Sequence, residues 1–584
     1  MEKETENDDN TEEGRLRRLR TILSSGIAHQ SIIFSAVLLF GGTMGASLGY
    51  SAILLPQLQS DNSSIPIDED TGSWIASLQS GVSPVGTIVG GISMDKWGRR
   101  FTMRIGVLPL FLGYVVLFFA HTHVWVLIGR FITGIAAGFS AAASQIIICE
   151  IATPRLRGLI ASSLYTAYSG GILLVYLLGS YLSWNIVAAV VSLLPLICFL
   201  EFLVVPETPI WLVKNEHIEE AEMALRWLRG NEREAKQELK ELLSTLRTQQ
   251  ETESESSDDE ESAGRTKQKI INQVRTLLVP SILKPFFIGH IICLFQILSG
   301  TVLVIFYAVD LISETNQNDD HNYTIAQLTA LVRLVFVVVT NSLFYFVQRR
   351  THTIVSSFVC ATSALILGIF LYFQSRESYS VSPTVNMWIT ATLILIFIAA
   401  NTCSFLPLPP TIMSEILPIK IRGAASGYIF AVNDITQFLI SKSYPWLKDN
   451  LGAHGIFIVF GINSLLFLIF CFLFMPETQG KSLSQIEEYF RGRNLIWKKR
   501  DRRLGRDYTR KKYFEMKKVN IKETVTTYSE PVTTYSDPDA TYSDPVVTYS
   551  DPVTTFVEPI ECPESIDVDE RPKRNKRKLS VTFS

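Results

Sequence analysis

The chain has 584 residues, of which 47% are hydrophobic, seven Cys and a formal net charge of −3 at pH 7. Most of the charge lies in residues 1–20, 207–282 and 476–584, and the remainder consists of long apolar runs. Six of the seven Cys lie within or at the ends of these runs, which argues against a disulfide framework. The sequence has no nucleotide-binding loop, metal cluster or nucleophile motif. We therefore expect no catalytic residue, cofactor, metal or nucleic-acid partner.

Twelve apolar runs predict twelve membrane-spanning helices, because each has about 18 residues or more and can cross a bilayer. The runs are residues 31–56, 72–94, 101–121, 124–149, 159–182, 184–205, 283–312, 325–347, 353–374, 385–413, 424–444 and 451–475. The sequence thus predicts an all-α membrane protein with two pseudo-symmetric six-helix halves. Its parts are a tail (1–30), the first half (31–206), a linker (207–282), the second half (283–475) and a second tail (476–584).

Two stretches recur in the two halves. "EIATPRLRG" at 150–158 resembles "EILPIKIRG" at 415–423, and "PET" occurs at both 206–208 and 476–478. Matched landmarks at nearly the same offset indicate a duplicated unit. Because six runs precede the linker and six follow it, the duplicated unit is a six-helix half.

The distribution of Lys and Arg predicts the orientation of the chain in the membrane. Cations precede span one and follow spans two, four and ten, at Arg15, Arg17, Arg18, Arg20, Lys96, Arg99, Arg100, Arg155, Arg157, Lys420 and Arg422. Loops 57–71 and 314–324 have no Lys or Arg, and each contains a glycosylation sequon, at Asn62 and Asn322. We expect a multi-pass plasma-membrane protein with both termini in the cytoplasm and both sequons outside.

Three polar segments lie outside the predicted spans. Residues 207–250 have apolar positions at helical spacing, which predicts short helices against the cytoplasmic face. Residues 249–262 form an acidic run that predicts disorder. The tail repeats a seven-residue unit built on "TYSDPV", in which the recurrent Pro excludes a coiled coil. This tail is either a disordered tether or a docking array for a cytoplasmic adaptor or kinase, and its basic end (571–578) either contacts anionic lipid or is solvated.

The repeated stretch places an acid at the end of one span and an arginine at the start of the next. Glu150 precedes Arg157, and Glu415 precedes Arg422, by seven residues each. Such charges can pair between helix bundles at the membrane surface without full burial in lipid. Pairs that release as the opposite side closes would suit two halves that rock around a central site. The alternative is that they are ordinary loop cations and helix-end acids.

Several motifs resemble, in order, the signatures of the sugar porter family of the major facilitator superfamily. They are "GGISMDKWGRR" at 90–100, "GRFITG" at 129–134, "PETPIWL" at 206–212, "FQILSG" at 295–300 and "PETQGKSL" at 476–483. The resemblance covers residues 35–490, and "DEDTGSWIASL" at 68–78 is similar to the insect trehalose-transporter-like branch. It implies transport of a small solute, such as a sugar, across the lipid bilayer by alternating access.

The resemblance implies a charge network that gates the cytoplasmic end. The matching residues are Asp95, Arg99, Arg100, Arg130, Glu150, Arg157, Glu207, Glu415, Arg422 and Glu477. The second copy of the motif around Asp95 should follow span eight, but residues 347–353 read "VQRRTHT", with neither its Asp nor its Gly. We therefore expect that half of the gate to be weaker.

The resemblance also implies solute-binding residues. They are Tyr165, Gln296, Phe306, Tyr307, Thr402, Asn433 and Asp434. Amides donate and accept hydrogen bonds and so suit sugar hydroxyls, and Gln296 and Asn433 match amides of the family. Ile297, Val302 and Phe336 stand where the family has others. We therefore expect a pocket that is more apolar and aromatic than is usual in the family.

Ionisable groups within spans are candidates for function. Asp434 replaces a Trp of the family and either faces the cavity, which would make transport pH-dependent, or does not. Glu201 is another candidate, and Arg333 and Asp310 are either functional or snorkel outward. Span one has no Asp or Glu, which favours uniport. Two functions stay open: a facilitative transporter of a sugar such as trehalose or a hexose, or of another small solute, and a non-transporting receptor or scaffold.

Overall fold

The computed structural model describes residues 26–60, 63–151, 157–255, 280–307, 309, 322–375, 383–417, 422–479, 486, 489 and 490. Every structural statement below concerns this part of the chain, in which all regular secondary structure is helical. Several predictions from the sequence concern residues outside the described part of the chain. These are the N-terminal tail before residue 26, the tyrosine repeats, the basic end of the tail, Asn62 and Asp310.

The first half consists of six long helices. They are α1 (Gly26–Gln59), α2 (Glu69–Trp97), α3 (Arg99–Phe118), α4 (His123–Ile151), α5 (Arg157–Gly179) and α6 (Trp184–Val204). Asp68 caps α2 and accepts a hydrogen bond from Thr71 N at 3.3 Å, which satisfies one of the unpaired amides of the first turn. The same bonding to Thr71 lowers the pKa of Asp68.

Three polar helices follow the first half. They are α7 (Pro209–Lys214), α8 (Ile218–Arg229) and α9 (Glu232–Glu255). The α8 helix rests on the start of α1, where the His29 ring stacks on Trp227 with a centroid distance of 4.2 Å and Gln30 donates to Leu228 O at 3.0 Å. Because α9 continues to Glu255, the prediction of disorder is wrong for residues 249–255, and the remainder of the acidic run lies outside the described residues.

The second half repeats the helical pattern with two broken spans. Its helices are α10 (Pro280–Leu298), α11 (Leu303–Phe306), α12 (Asn322–Phe346), α13 (Arg349–Ser375), α14 (Pro383–Phe405), α15 (Leu408–Ile416), α16 (Arg422–Lys442) and α17 (Tyr444–Phe474). Span seven is α10 and α11, and span ten is α14 and α15. Sequon residue Asn322 is the first residue of α12, and its side chain lies outside the description.

The two breaks have local causes. Gly300 has φ +82°, a left-handed conformation that costs glycine little, and a Cβ there would collide with the Phe460 ring. The buried Asn401 amide closes this break, because it accepts from Thr301 at 2.9 Å and donates to Ser299 O at 3.2 Å. In span ten, Pro407 removes an amide donor between α14 and α15, which stops helix continuity.

Among the residues that the structure describes, ten helical segments are long and apolar enough to cross a membrane. The two remaining predicted spans, five and eleven, coincide with α5 and α16. These have 23 and 21 residues, so each is about 30 Å long and matches the hydrocarbon thickness. The α16 helix is polar because it contains Asn433, Asp434, Gln437 and Lys442.

The halves are joined mainly by two helix pairs, α2 with α16 and α5 with α12. Within the first half, α1 packs closely on α5, and a Cβ on Gly45 would collide with the Tyr168 carbonyl. We call the end of the bundle that bears Arg99 and Glu207 the arginine end. The opposite end bears Asp70 and Lys442.

Candidate functional site

A charge cluster at the arginine end ties three segments of the first half together. Arg99, the first residue of α3, forms an ion pair with Glu150 at the end of α4, with Nη2 and Oε1 2.9 Å apart. Glu207 accepts hydrogen bonds from the backbone amides of Arg99 and Arg100 at 2.9 and 3.0 Å. The first amides of a helix lack intrahelical partners and carry partial positive charge, so a carboxylate is favoured there.

The second half has a matching cluster. Arg349, the first residue of α13, forms an ion pair with Glu415 in α15. Glu477 accepts from the amides of Arg349 and Arg350 at 3.2 and 3.1 Å. These residues repeat the contacts of Arg99, Glu150 and Glu207, although the letters of the motif differ. The structure therefore does not support the expected weaker second copy.

Burial sets the electrostatics of the first cluster. The Glu150 carboxyl is mostly buried, which raises its pKa above the ordinary value, and the guanidinium of Arg99 opposes this effect. Asp95 stands apart, because its side chain is exposed, while its carbonyl accepts a hydrogen bond from Trp211 Nε1 at 3.1 Å. Arg157 and Arg422 begin α5 and α16, but their side chains lie outside the description, so their pairing stays a prediction.

Arg130 does not belong to this network, and its placement there is wrong. It lies in the second turn of α4, toward the opposite end, and is 1% exposed. Its guanidinium donates to Gln79 Oε1 at 2.8 Å, to Ser47 O at 3.1 Å and to Ser51 Oγ, and it lies over the Tyr50 ring. All these partners are neutral. The α4 helix separates Arg130 from Glu150 by about 30 Å, given its rise per residue.

The two matched amides differ in their availability. Gln296 donates to Phe405 O at 2.6 Å, so its amide nitrogen satisfies the carbonyl at the end of α14. The Oδ1 atom of Asn433 is buried without a hydrogen-bond partner. A buried, unsatisfied acceptor is costly. Asn433 is therefore the residue with unused capacity to receive a solute hydroxyl.

Three other predicted solute-binding residues have structural roles. Phe306 is fully buried in the hydrophobic core, and Thr402 is fully buried and donates to Ile398 O of its own helix at 2.6 Å. Tyr307 is 5% exposed, donates to Ser441 O at 3.0 Å and stacks on Tyr444. In this conformation none of the three has a free polar group directed at a cavity, which corrects their assignment. Tyr165 is half-buried on α5.

A row of polar contacts crosses from α2 to α16, and we call it the polar ladder. Asp434 Oδ2 accepts from Ser83 at 2.6 Å, Gln437 donates to Ser80 at 2.7 Å, and Lys442 pairs with Asp70 at 2.6 Å. Asp434 thus faces the other half. Asp70, Ser80, Ser83, Gln437 and Lys442 were not expected as site residues. Their sequence signal is weak, because the polar partners are three and five residues apart on α16 but ten and three apart on α2. It becomes meaningful only once the two helices are known to pair.

Two further ionisable groups lie within spans and contact other helices or aromatic rings. Arg333 is 3% exposed on α12, beside Tyr168 and Tyr176, so it does not snorkel outward. Glu201 accepts from Ser35 at 2.8 Å, which joins α6 to α1.

A cavity of about 540 Å³ lies between α1, α5 and α12. It is lined by Leu38, Ser162, Ser163, Thr166, Ala167, Val338, Asn341, Ser342 and Phe346. Asn341 spans its edge and donates to Ser162 O at 3.0 Å and to Thr166 at 3.1 Å. The residues predicted to bind the solute are not among the lining residues.

Comparison with known proteins decides the family. Residues 29–490 match the family described as "Sugar (and other) transporter". The chain belongs to this family. A "Facilitated trehalose transporter Tret1-2 homolog" of Drosophila sechellia is 30% identical over 435 residues, which cover 74% of this chain and 84% of the relative. "Facilitated trehalose transporter Tret1" of Drosophila virilis is 31% identical over 453 residues, covering 77% of this chain and 47% of that relative.

Solved structures agree with the fold. The inward-open xylose transporter XylE from E. coli superposes with a TM-score of 0.61 at 21% identity, over 79% of this chain and 99% of that one. The proton:xylose symporter XylE bound to 6-bromo-6-deoxy-D-glucose gives 0.62 at 21% identity, over 80% and 99%. The predicted fold, an all-α membrane protein with two six-helix halves, is confirmed. The chain is a multi-pass membrane transporter of the sugar transporter family and not an enzyme.

Proposed function

We propose that the chain is a facilitative uniporter of a sugar such as trehalose or a hexose, working by alternating access in the plasma membrane. The arginine end faces the cytoplasm, as the distribution of Lys and Arg predicts. Two relatives that cover most of this chain are named facilitated trehalose transporters, which supports the substrate class.

The observation that carries this proposal is the pair of matched charge clusters. Each cluster closes within its own half, Arg99 with Glu150 and Arg349 with Glu415. Each half is therefore braced as one body at the arginine end. The polar ladder meanwhile holds α2 against α16 toward the opposite end. Two braced bodies held together toward the outer end suit the inward-facing state of a rocking transporter, and Asn341 of α12 also touches Ser162 of α5 nearer the arginine end.

The surroundings of Arg130 support uniport. Its described hydrogen-bond acceptors are Ser47, Ser51 and Gln79, and the α1 helix that supplies two of them contains no Asp or Glu. A proton-coupled exchange at this site would need a carboxyl that binds and releases a proton beside the arginine. Neutral partners cannot do this near neutral pH.

Uptake of labelled trehalose and glucose by oocytes that express the chain would test the proposal. We expect saturable uptake that is slowed by Arg99→Ala and Arg349→Ala and left unchanged by Arg233→Ala. Arg233 is an exposed arginine on α9, outside both clusters. Normal surface expression of the parent without uptake of either sugar would contradict the proposal and favour the receptor or scaffold alternative, in which the C-terminal tail engages an adaptor or kinase.

A further inference from the structure

The polar ladder joins α2 to α16 at three levels, each of which we call a rung. Along α2 the partners are Asp70, Ser80 and Ser83, and along α16 they are Lys442, Gln437 and Asp434. The order is reversed, as two antiparallel helices require. All three contacts join the same two helices, and Ser80 and Ser83 are three residues apart on α2, as Asp434 and Gln437 are on α16. The contacts therefore form a single seam between the halves.

Between the polar contacts, aromatic side chains pack α2 against α16. The Phe438 ring contacts Trp74, with centroids 6.0 Å apart, and lies where a Cβ on Gly81 would be. The Lys442 ammonium lies 4.4 Å from the Trp74 centroid and donates to Ser73 at 2.8 Å. A cation over the face of Trp is favoured, so Lys442 has three partners on α2.

The contacts of the polar ladder differ in burial, and burial determines how strongly each contact holds α2 against α16. The Asp70 side chain is 74% exposed, and exposed ion pairs contribute little because water and salt screen them. Gln437 and Ser80 are 8% and 4% exposed. Breaking their bond leaves buried polar atoms unsatisfied, which costs more than losing a surface pair. The deep rungs should therefore hold the seam, and the surface pair should align it.

We propose that the polar ladder is the outer gate of this transporter, with Asp70 and Lys442 positioning α2 against α16 and Ser80 and Gln437 locking them. The inference rests on the proposed alternating access and assigns it specific gating residues. An outward-facing state must separate the two halves at this end, so the rungs break on opening and form again on closure. Each rung then contributes to the inward-facing state and is absent from the outward-facing one.

A cysteine placed in the seam would report its opening. Ser73 is 2% exposed and touches Lys442, so Ser73→Cys changes one atom and should be shielded in the closed gate. Its modification by a membrane-impermeant thiol reagent added outside cells measures the open fraction. The unsubstituted chain gives the background from its own cysteines. Surface biotinylation normalises each variant.

In the Ser73→Cys chain, Asp70→Lys places like charges together and should speed modification about threefold, within the range of exposed pairs. Gln437→Leu removes the buried hydrogen bond to Ser80 and should speed modification about tenfold, which is a larger effect than that of Asp70→Lys. Glu69→Lys is the matched control, because Glu69 is an exposed neighbour of Asp70 outside the ladder. The charge swap of Asp70→Lys with Lys442→Asp should restore the slow rate.

The labelling needs no solute, so its outcome is independent of the sugar. Faster modification together with an absence of sugar uptake would keep the gate and reject the proposed substrate. Unchanged modification in both Asp70→Lys and Gln437→Leu would overturn the gate, whatever the uptake. Failure of the charge swap to restore the rate would show that Asp70→Lys acts by disturbing the start of α2.

Discussion

Arg349 and Glu415 stand in the second half as Arg99 and Glu150 stand in the first, each an arginine that opens a helix and pairs with an acid at the end of another. The capping carboxylates, Glu207 and Glu477, repeat as well. Because the two charge clusters have the same contacts, we expect them to contribute equally when the halves move. The duplicated sequence therefore also duplicates the charge pairs that hold each half together at the arginine end.

The first prediction is that Arg99→Gln and Arg349→Gln impair transport to a similar extent. Each leaves a largely buried acid without its partner, which costs about 3 kcal/mol where no other cation compensates. Initial rates of sugar uptake, normalised to surface protein, would measure it. A much smaller effect of Arg349→Gln would revive the idea of a weak second copy.

The second prediction concerns the arginines that end the repeated stretch. Arg157→Ala and Arg422→Ala should each slow uptake and favour the inward-facing state, because closure at the cytoplasmic end loses a cation that pairs across the halves. Surface expression should be retained. Parental uptake rates in both variants would contradict a cross-half role and leave only the braces within each half.

Hydropathy and repetition were sufficient to predict the two-half fold. Apolar runs of span length are dictated by the bilayer, so they are visible in one dimension. The contacts that individual side chains make are not visible in the sequence in this way. Arg130 was assigned to the charge network by the family resemblance alone, and the length of α4 places it about 30 Å from Glu150. Arg349 was undervalued because its motif letters differ, although its position at a helix start is the same.

The candidate site shows the same limit. Asn433 and Gln296 were both found from the sequence, but only contacts reveal that Gln296 satisfies a carbonyl at the break of span ten. Phe306 was assigned to a pocket because of its aromatic character, and aromatic residues also fill cores. The polar ladder needed knowledge of which helices pair, because Ser and Gln within a span carry no partner in the sequence.

The third prediction separates the two amides. Asn433→Ala should raise the apparent KM for sugar about five- to tenfold, the value of one hydrogen bond to solute, with normal expression. Gln296→Ala should also lower surface expression, because the carbonyl of Phe405 then loses its hydrogen-bond donor. Concentration dependence of uptake together with surface labelling would distinguish the two. Equal KM in the parent and Asn433→Ala would exclude Asn433 from the solute site.

The fourth prediction concerns the break in span seven. Gly300→Ala should reduce folded protein at the surface, since alanine is strained at positive φ and its Cβ meets the Phe460 ring. Adding Phe460→Ala removes the collision but not the backbone strain, so it should restore expression only in part. Detergent-solubilised thermal unfolding would quantify both. Full rescue by Phe460→Ala would show that the collision alone matters, and parental stability of Gly300→Ala would contradict the role of the turn.

The last prediction concerns Asp434, which the structure places against Ser83 of the other half at 2.6 Å. When the outer gate opens, this carboxyl is exposed to the external solution, and when the gate closes it is buried again. A neutral carboxyl is easier to bury than an ionised one, so protonation favours closure. We therefore expect sugar uptake to fall as external pH rises, because fewer Asp434 carboxyls are then neutral when the outer gate has to close. Asp434→Asn keeps the shape and removes the charge, and it should make uptake independent of pH. Ser83→Ala is the companion variant, because it removes the partner and keeps the acid, so its pH dependence should persist. A parent whose uptake does not change with pH, or an Asp434→Asn variant that retains the dependence, would show that Asp434 serves only to hold the ladder together.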